Sequence, residues 1–323
     1  MIKVGIVGMG RVFDYYIKAV EHVKDIKIVC VSDIEEKRRS KTPLGARFYK
    51  NFHKMILEEK PDAVFVLVPN LLHYEVSKII LEEGIDILLE KPATLDIQEL
   101  KNLISLSYRK SLVFVISFHY RFAKEVQWFY ERYKEGMEKE LGRIKYFHCG
   151  FYDPYIENNR IKDFVKSLNG SWIDSGINAL SVIDMFIDRI SLMESRLTYV
   201  ESVNKYGDIQ STVTLYSPFS YGFIDTNWTL GINCKKTSFL FENEEKEIVL
   251  NHSKQQVILK EKGNDQIIAD FSKTGDRLVN HYIGVLRDFV NHFKNRTDNT
   301  EKALYLHSLL FEAIEKNSIL KNC

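Results

Sequence analysis

Ile2-Lys3-Val4-Gly5-Ile6-Val7-Gly8-Met9-Gly10-Arg11-Val12-Phe13 is the stretch that decides the fold. A mostly apolar run of strand length enters a turn with two glycines, and a helical pattern follows from about Val12 to Val23. Glycines permit a tight turn and let backbone amides approach a pyrophosphate at a helix N-terminus, which is how a dinucleotide-binding fold begins. Gly-x-Gly alone is weak. It gains weight because a second strand, Lys27–Ser32, ends in Asp33, 23 residues after Gly10, close to the spacing of a ribose-binding acid. Gly8, Met9, Gly10, Arg11 and Val12 are therefore the expected cofactor turn. Phe13 departs from the pattern, which places Gly or Ala third for close helix–strand packing. An aspartate accepts from ribose hydroxyls and repels a 2′-phosphate, which favours NAD; Lys37, Arg38 and Arg39 follow closely and suit that phosphate, which keeps NADP open.

The same grammar continues along the chain. A short strand near Ala46–Tyr49 and a helix over Phe52–Glu59 lead to an apolar strand, Ala63–Val68, that stops at Pro69-Asn70-Leu71-Leu72-His73. Proline halts the ladder, Asn70 suits a helix cap, and the helix runs to about Glu83 before closing at Gly84. Ile85-Asp86-Ile87-Leu88-Leu89-Glu90-Lys91-Pro92 comes next. This apolar run ends abruptly in a carboxylate, an ammonium and a proline, so a buried strand delivers Lys91 to the sheet edge. Ligands of open α/β sheets collect outside the carboxyl ends of the strands, where Gly8, Asn70, His73 and Lys91 all fall. Asp96 caps a helix to about Arg109, and Leu112–Phe118 is a further strand. Strands separated by helices predict a parallel, doubly wound sheet, an α/β Rossmann domain over residues 1–119.

At Phe118-His119-Tyr120-Arg121-Phe122 the alternation stops, which places a second domain over residues 120–323. A helix near Glu125–Lys134, a strand Arg143–Tyr152 and an irregular stretch to Asn169 precede Gly170–Asn178, which opens a helix to about Phe186. Thr198–Tyr206, Ile209–Tyr216, Gly222–Leu230, Lys236–Glu242, Glu247–Asn251 and Gln256–Glu261 then read as strands, and helices near Asn280–Lys294 and Glu301–Lys316 end the chain. Alternation in Gly222–Leu230 puts Ile224, Trp228 and Leu230 on one face. Sequential strands joined by short turns imply an α+β domain with a large, open, mainly antiparallel sheet.

Bulk composition narrows the classes. A chain of 323 residues exceeds what one core usually holds, and 45% hydrophobic with 28% charged residues is ordinary for a globular protein. The net charge of +1 sets up no field to draw nucleic acid or an anionic membrane, so neither is an expected partner. Apolar runs such as Ala63–Val68 fall far short of the roughly 20 residues a spanning helix needs, and the N-terminus reads as a strand rather than a signal peptide. Cys30, Cys149, Cys234 and Cys323 are scattered without a Cys-x-x-Cys pair, so no metal site or disulfide framework is expected, and a cytoplasmic setting fits best.

Taken in order, these motifs resemble the glucose-fructose oxidoreductase, inositol dehydrogenase and rhizopine-catabolism family (Gfo/Idh/MocA). Gly8-Met9-Gly10-Arg11, Asp33, Pro69-Asn70-Leu71-Leu72-His73, Glu90-Lys91-Pro92, Arg121-Phe122 and Asp174-Ser175-Gly176-Ile177-Asn178 carry the resemblance. It implies an NAD(P)-dependent oxidoreductase that moves hydride between nicotinamide and a hydroxyl or carbonyl carbon of a sugar-like small molecule. The dinucleotide would contact the glycine turn, Asp33, Pro69, Asn70, His73, Glu90 and Lys91. The resemblance also implies a cis Lys91–Pro92 bond, Lys91 near the reacting oxygen, and a homo-oligomer, dimer or tetramer, joined through the C-terminal sheet. Much of the family carries an acid/base histidine where this chain has Asn178, and an amide cannot accept and release a proton at neutral pH. Asp174 and Asn178 share a helix face. With His119 and Arg121 upstream, their pattern is similar to the aldose 1-dehydrogenase branch, where the paired Asp and Asn contact the reacting hydroxyl. On that resemblance Asp174 is sugar ligand and base, Asn178 its hydrogen-bonding anchor, Lys91 a relay or electrostatic stabiliser, and His119 either a substrate contact or a packing residue. Trp172 suits stacking on a sugar or packing the turn. Members of the family that bind dinucleotide without turnover supply the alternative, a sensor or regulatory protein.

Overall fold

Six parallel strands organise the N-terminal part: β1 (Ile2–Val7), β2 (Ile26–Ser32), β3 (Arg47–Tyr49), β4 (Ala63–Val66), β5 (Asp86–Glu90) and β6 (Phe114–Ser117). Their order is β3-β2-β1-β4-β5-β6 in the computed structural model, which describes residues 1–157, 160–200, 207–243 and 245–317. The strand order reverses at β1 and β4, the switch point where such sheets bind ligands. Every residue of β4 and β5 is buried, as a parallel strand covered on both faces requires. The crossovers include α1 (Phe13–Val20), α2 (Phe52–Glu59), α3 (His73–Glu82) and α4 (Ile97–Arg109). Asp96 caps α4 as its sequence predicts, accepting from the Gln98 and Glu99 N–H groups at 2.7 and 3.1 Å. Asn70 does not cap α3. A 3-10 turn over Asn70–Leu72 intervenes and the N-cap position falls to Leu72, because the buried His73 ring anchors the start of the helix to the sheet.

Backbone contacts divide the chain into two units, residues 1–119 with Leu278–Tyr305, and Tyr120–Arg277 with the chain from Leu306 on. The second contains α5 (Lys124–Arg132), α6 (Glu138–Leu141), β7 (Ile144–Tyr152), a two-stranded ladder of β8 (Ile156–Glu157) and β9 (Arg160–Ile161), and α7 (Ile177–Ile183). Then come β10 (Ser191–Thr198), β11 (Gln210–Tyr216), β12 (Tyr221–Asn227), β13 (Cys234–Phe241), β14 (Lys246–Asn251), β15 (Gln256–Glu261) and β16 (Asn264–Asp270). The eight-stranded sheet runs β10-β11-β12-β7-β13-β14-β15-β16, antiparallel except where β12 pairs with β7. The strand expected over Thr198–Tyr206 instead ends at Thr198, its last six residues and Cys323 lying outside the described residues. Leu230 lies past the end of β12 and is exposed, whereas Ile224 and Trp228 are buried as alternation predicts. β16 escapes sequence pattern because it is a mostly exposed edge strand with no apolar face to read.

The expected second domain took in everything after residue 119, and here the structure corrects the sequence. The C-terminal helices are α8 (Arg277–Asn295) and α9 (Thr300–Glu315), and most of α8 packs with the first unit. Tyr282 lies 4.6 Å from the Tyr16 ring and Phe289 meets Phe65 edge-on at 5.2 Å. Asn299 clasps the Ile116 backbone, donating to its carbonyl and accepting from its N–H, both at 2.8 Å. An amphipathic stripe shows that a helix buries one face, not which sheet receives it. Among the described residues no helix is long and apolar enough to cross a membrane.

Candidate active site

The glycine turn is shaped by its two glycines for different reasons. Gly8 has φ +96°, and a Cβ there would stand 2.6 Å from the Leu67 carbonyl oxygen, so no other residue fits. At Gly10 a Cβ would approach only the Arg38 guanidinium, at 3.9 Å, which leaves open space over the backbone where a pyrophosphate would lie. Asp33 fastens this turn to the end of β2. Its Oδ2 accepts from the Met9 N–H at 2.7 Å and from Arg38 Nη1 at 2.8 Å, and its Oδ1 accepts from the Glu35 N–H at 2.9 Å. A carboxylate offers about four acceptor positions, so Oδ1 keeps one for a hydroxyl. Of the cations after Asp33, Arg38 bonds it, Lys37 pairs with Glu35 and Arg39 lies 4.5 Å over the Phe48 ring. The turn, the acid and Arg38 thus fit a dinucleotide.

Along the same edge, β5 ends in buried Glu90 and half-buried Lys91, and the Lys91–Pro92 peptide is cis. Glu90 Oε1 accepts from the Tyr16 hydroxyl at 2.8 Å and the Ser117 hydroxyl at 3.0 Å, which ties α1 and β6 to the strand that presents Lys91. Burial pushes the Glu90 carboxyl pKa up, with Tyr16 and Lys91 opposing the shift. His73 is buried, where a histidine in a helix's first turn is ordinarily exposed. Its Nδ1 lies 2.7 Å from the Pro92 carbonyl and its Nε2 2.9 Å from the Val68 carbonyl, so the ring braces the loops after β5 and β4. Burial pushes its pKa down to about 4; near neutral pH its single N–H serves one carbonyl at a time. Pro69 and Asn70 belong to the same loop, exposed and half-buried. Glu90 pairs with Ser117 in register, so Lys91 and Phe118 leave neighbouring strands at one level and His119 follows. His119 is buried, stacked on Tyr282 with its Nδ1 3.2 Å from Nδ1 of His281.

In the second unit Asp174 and Asn178 stand on one helical segment, π-helical over Trp172–Gly176 and continued by α7. Gly176 makes that segment: a Cβ would meet the Trp172 indole at 2.3 Å. Trp172 is fully buried and donates from Nε1 to the Leu310 carbonyl at 2.9 Å, so it packs the turn and is not a sugar platform. Asn178 donates to the Asp174 carbonyl at 3.1 Å, while its Oδ1 is buried with no hydrogen-bond partner. Leaving such an acceptor bare costs about 1–3 kcal/mol, the pattern of a group held for a ligand. Beneath the segment, Asp208 accepts from the Ser171 hydroxyl at 2.6 Å and the Trp172 N–H at 3.1 Å, and burial pushes its pKa up to about 7. Ser175 donates to Asp153 at 3.4 Å, and Asp153 forms a buried ion pair with Lys235 at 2.6 Å. Arg121 bonds Asp184 at 2.8 Å and the Ser181 carbonyl at 3.1 Å, a bracing role.

Gly8, Met9, Asp33, His73, Glu90, Lys91 and His119 therefore belong to the first unit's sheet edge, with Gly10, Arg11 and Val12 in the turn leading to α1, and Asp174 and Asn178 share a helix of the second unit. Sequence reasoning missed Tyr16, Ser117, His281, Asp208 and the Asp153–Lys235 pair. Each gains its place from a partner far along the chain, and no local pattern marks it.

Residues 2–118 match the family model described as an oxidoreductase family with an NAD-binding Rossmann fold. A D-glucoside 3-dehydrogenase of Escherichia coli is 30% identical over 151 residues, a match covering 43% of this chain and 41% of that protein. A myo-inositol 2-dehydrogenase of Thermotoga maritima is 20% identical over 91% of this chain and 89% of its own length. Among solved structures, a 3-ketoreductase from Actinomadura kijaniata in complex with NADP superposes with a TM-score of 0.82 at 15% identity, over 98% of both chains. An Agrobacterium radiobacter oxidoreductase in complex with NAD+ gives 0.81 at 13% identity, covering 98% of this chain and 96% of that one. At such identities these structures show a shared fold.

Proposed function

The chain belongs to the Gfo/Idh/MocA oxidoreductase family, and from that premise we propose that it is an NAD(P)-dependent dehydrogenase or reductase acting on a sugar or sugar derivative. The observation that carries this is Lys91, set by the buried β5 at the binding edge of an NAD-binding fold. Gly8–Val12 hold the pyrophosphate, Asp33 takes a ribose hydroxyl on Oδ1, and Lys91 steadies the reacting oxygen. The dinucleotide supplies or accepts the hydride. Asp174 and the bare Oδ1 of Asn178 recognise substrate hydroxyls. The relatives named for glucoside and inositol oxidation support a polyhydroxylated substrate. The sheet face bearing Tyr146, Tyr221 and Phe223, with rings 5.3 and 6.0 Å apart, suits a second copy, so a cytoplasmic homo-oligomer completes the proposal. Purified protein given NAD+ or NADP+ with aldoses, inositols and UDP-sugars is expected to produce reduced-nicotinamide absorbance with at least one of them. Dinucleotide binding with no turnover across the panel supports the sensor alternative instead.

Cofactor choice turns on Arg38. Its guanidinium already pairs with Asp33, which weakens the aspartate's repulsion of a 2′-phosphate and places a cation where that phosphate would sit. A charge-assisted hydrogen bond is worth about 1.5–3 kcal/mol, so Arg38→Ala is expected to lower kcat/KM with NADP+ by about tenfold or more. The value with NAD+ changes only severalfold. Equal losses with both cofactors would show that Arg38 only braces Asp33.

A further inference from the structure

His119 and His281 meet within the first unit in a way that restricts their protons. Their Nδ1 atoms are 3.2 Å apart and both residues are buried, at 7% and 1% exposure. Two neutral imidazoles carry one N–H each, and a hydrogen bond between two Nδ1 atoms needs a proton on one and a lone pair on the other. One ring is therefore protonated on Nδ1 with a bare Nε2, and its partner is protonated on Nε2. A proton added at the bare Nε2 makes that ring an imidazolium, whose Nδ1 proton can cross to the second ring. Once one charge is shared, a second added proton is opposed by the first at this distance. The pair stores a single proton.

We propose that His119 and His281 form a one-proton acid/base pair at the sheet edge beside Lys91, in which His119 meets the substrate and His281 is the positioning residue behind it. This rests on the dehydrogenase proposed above. In oxidation the alcohol gives its hydroxyl proton to Nε2 of His119, and the O–H electron pair becomes the second bond of the new carbonyl. The carbon-bound hydrogen leaves with its electron pair as hydride to the dinucleotide, and the Nδ1 proton of His119 passes to Nδ1 of His281. Reduction runs the same transfers backwards. The pair thereby returns to the chain the histidine chemistry that Asn178 removes.

The surroundings favour such sharing. Tyr282, beside His281 on α8, stacks on His119 at 5.3 Å and leans on Tyr16 at 4.6 Å, and the Tyr16 hydroxyl is committed to Glu90. Lys91 follows Glu90, so the titratable groups of the first unit around the pair are Tyr282, Tyr16, Glu90 and Lys91. Aromatic walls on a buried hydrogen bond strengthen it by lowering the local dielectric.

Nitrogen-15 NMR of histidine-labelled protein across pH reads the pair without needing a substrate. One ring is expected in each tautomer, with both following one shared proton uptake. In His281→Gln the amide oxygen still accepts from Nδ1 of His119 but cannot take its proton, so His119 keeps its tautomer and titrates alone at lower pH. With a turned-over substrate, His281→Leu is expected to lower kcat/KM by about tenfold or more and move the acidic limb of its pH profile. His281→Gln restores part of kcat/KM but not the wild-type limb. Independent titration of the two rings, or a wild-type pH profile in His281→Leu, overturns the pair. A coupled pair with no dinucleotide-linked turnover contradicts the dehydrogenase and the catalytic use of the pair together, whereas uncoupled rings in an active enzyme contradict the pair alone.

Discussion

Lys91→Met is expected to lower kcat/KM for the substrate by about 10²–10⁴-fold while changing dinucleotide affinity only severalfold. β5 is fully buried from Asp86 to Glu90, so the strand's position is set by its own packing and not by the lysine that follows it. Half-buried Lys91 contributes a charge at the binding edge, and methionine keeps much of its length while removing that charge. The loss should fall on kcat, because a cation beside the reacting oxygen stabilises charge that develops only as hydride moves. Steady-state kinetics and calorimetric titration of NAD+ separate the two effects. Unchanged turnover would remove Lys91 from the chemistry.

Gly8→Ala is expected to be the most damaging single change to the first unit. The added methyl would sit 2.6 Å from the Leu67 carbonyl oxygen and 2.8 Å from the Val68 nitrogen, both backbone atoms at the end of β4 that cannot swing aside. Its φ of +96° adds conformational strain. Overpacking of this kind costs about 1–3 kcal/mol and the strained backbone a similar amount, so a loss of about 2–5 kcal/mol follows, with dinucleotide binding lost as the turn deforms. Gly84→Ala is the control, since its φ is +78° but nothing lies within 4 Å of its Cβ. Urea unfolding of the two variants side by side should show Gly8→Ala much the weaker. Equal stabilities would mean that the turn can move away from β4.

Wherever a local rule decides, the sequence is legible. β1, Gly8 and Asp33 follow one another at the spacing a dinucleotide turn needs, and β5 announces Lys91 by ending an apolar run in charge. Asp96 caps its helix where pattern places it. What the sequence hides are choices between partners. α8 is plainly amphipathic, yet only the contacts of Tyr282 and Phe289 reveal that it covers the first sheet. His119 shows as a histidine at a strand end, but its partner lies 162 residues away. Asp208 looks like a loop acid until burial and the Ser171 and Trp172 donors place it under the helix of Asp174. Trp172 offers an aromatic face on paper and spends it on packing, because Gly176 leaves room for the indole against the backbone.

The central claim is hydride transfer to a dinucleotide held at the edge carrying Lys91, and isotope transfer tests it most directly. A sugar substrate found in the panel, deuterated at the reacting carbon, is incubated with the protein and oxidised dinucleotide, and the reduced dinucleotide is weighed by mass spectrometry. Deuterium carried onto the dinucleotide by the wild-type protein, and its near absence with Lys91→Met, is the predicted result. Dinucleotide that binds at the first unit but gains no deuterium from any sugar or inositol would contradict the account.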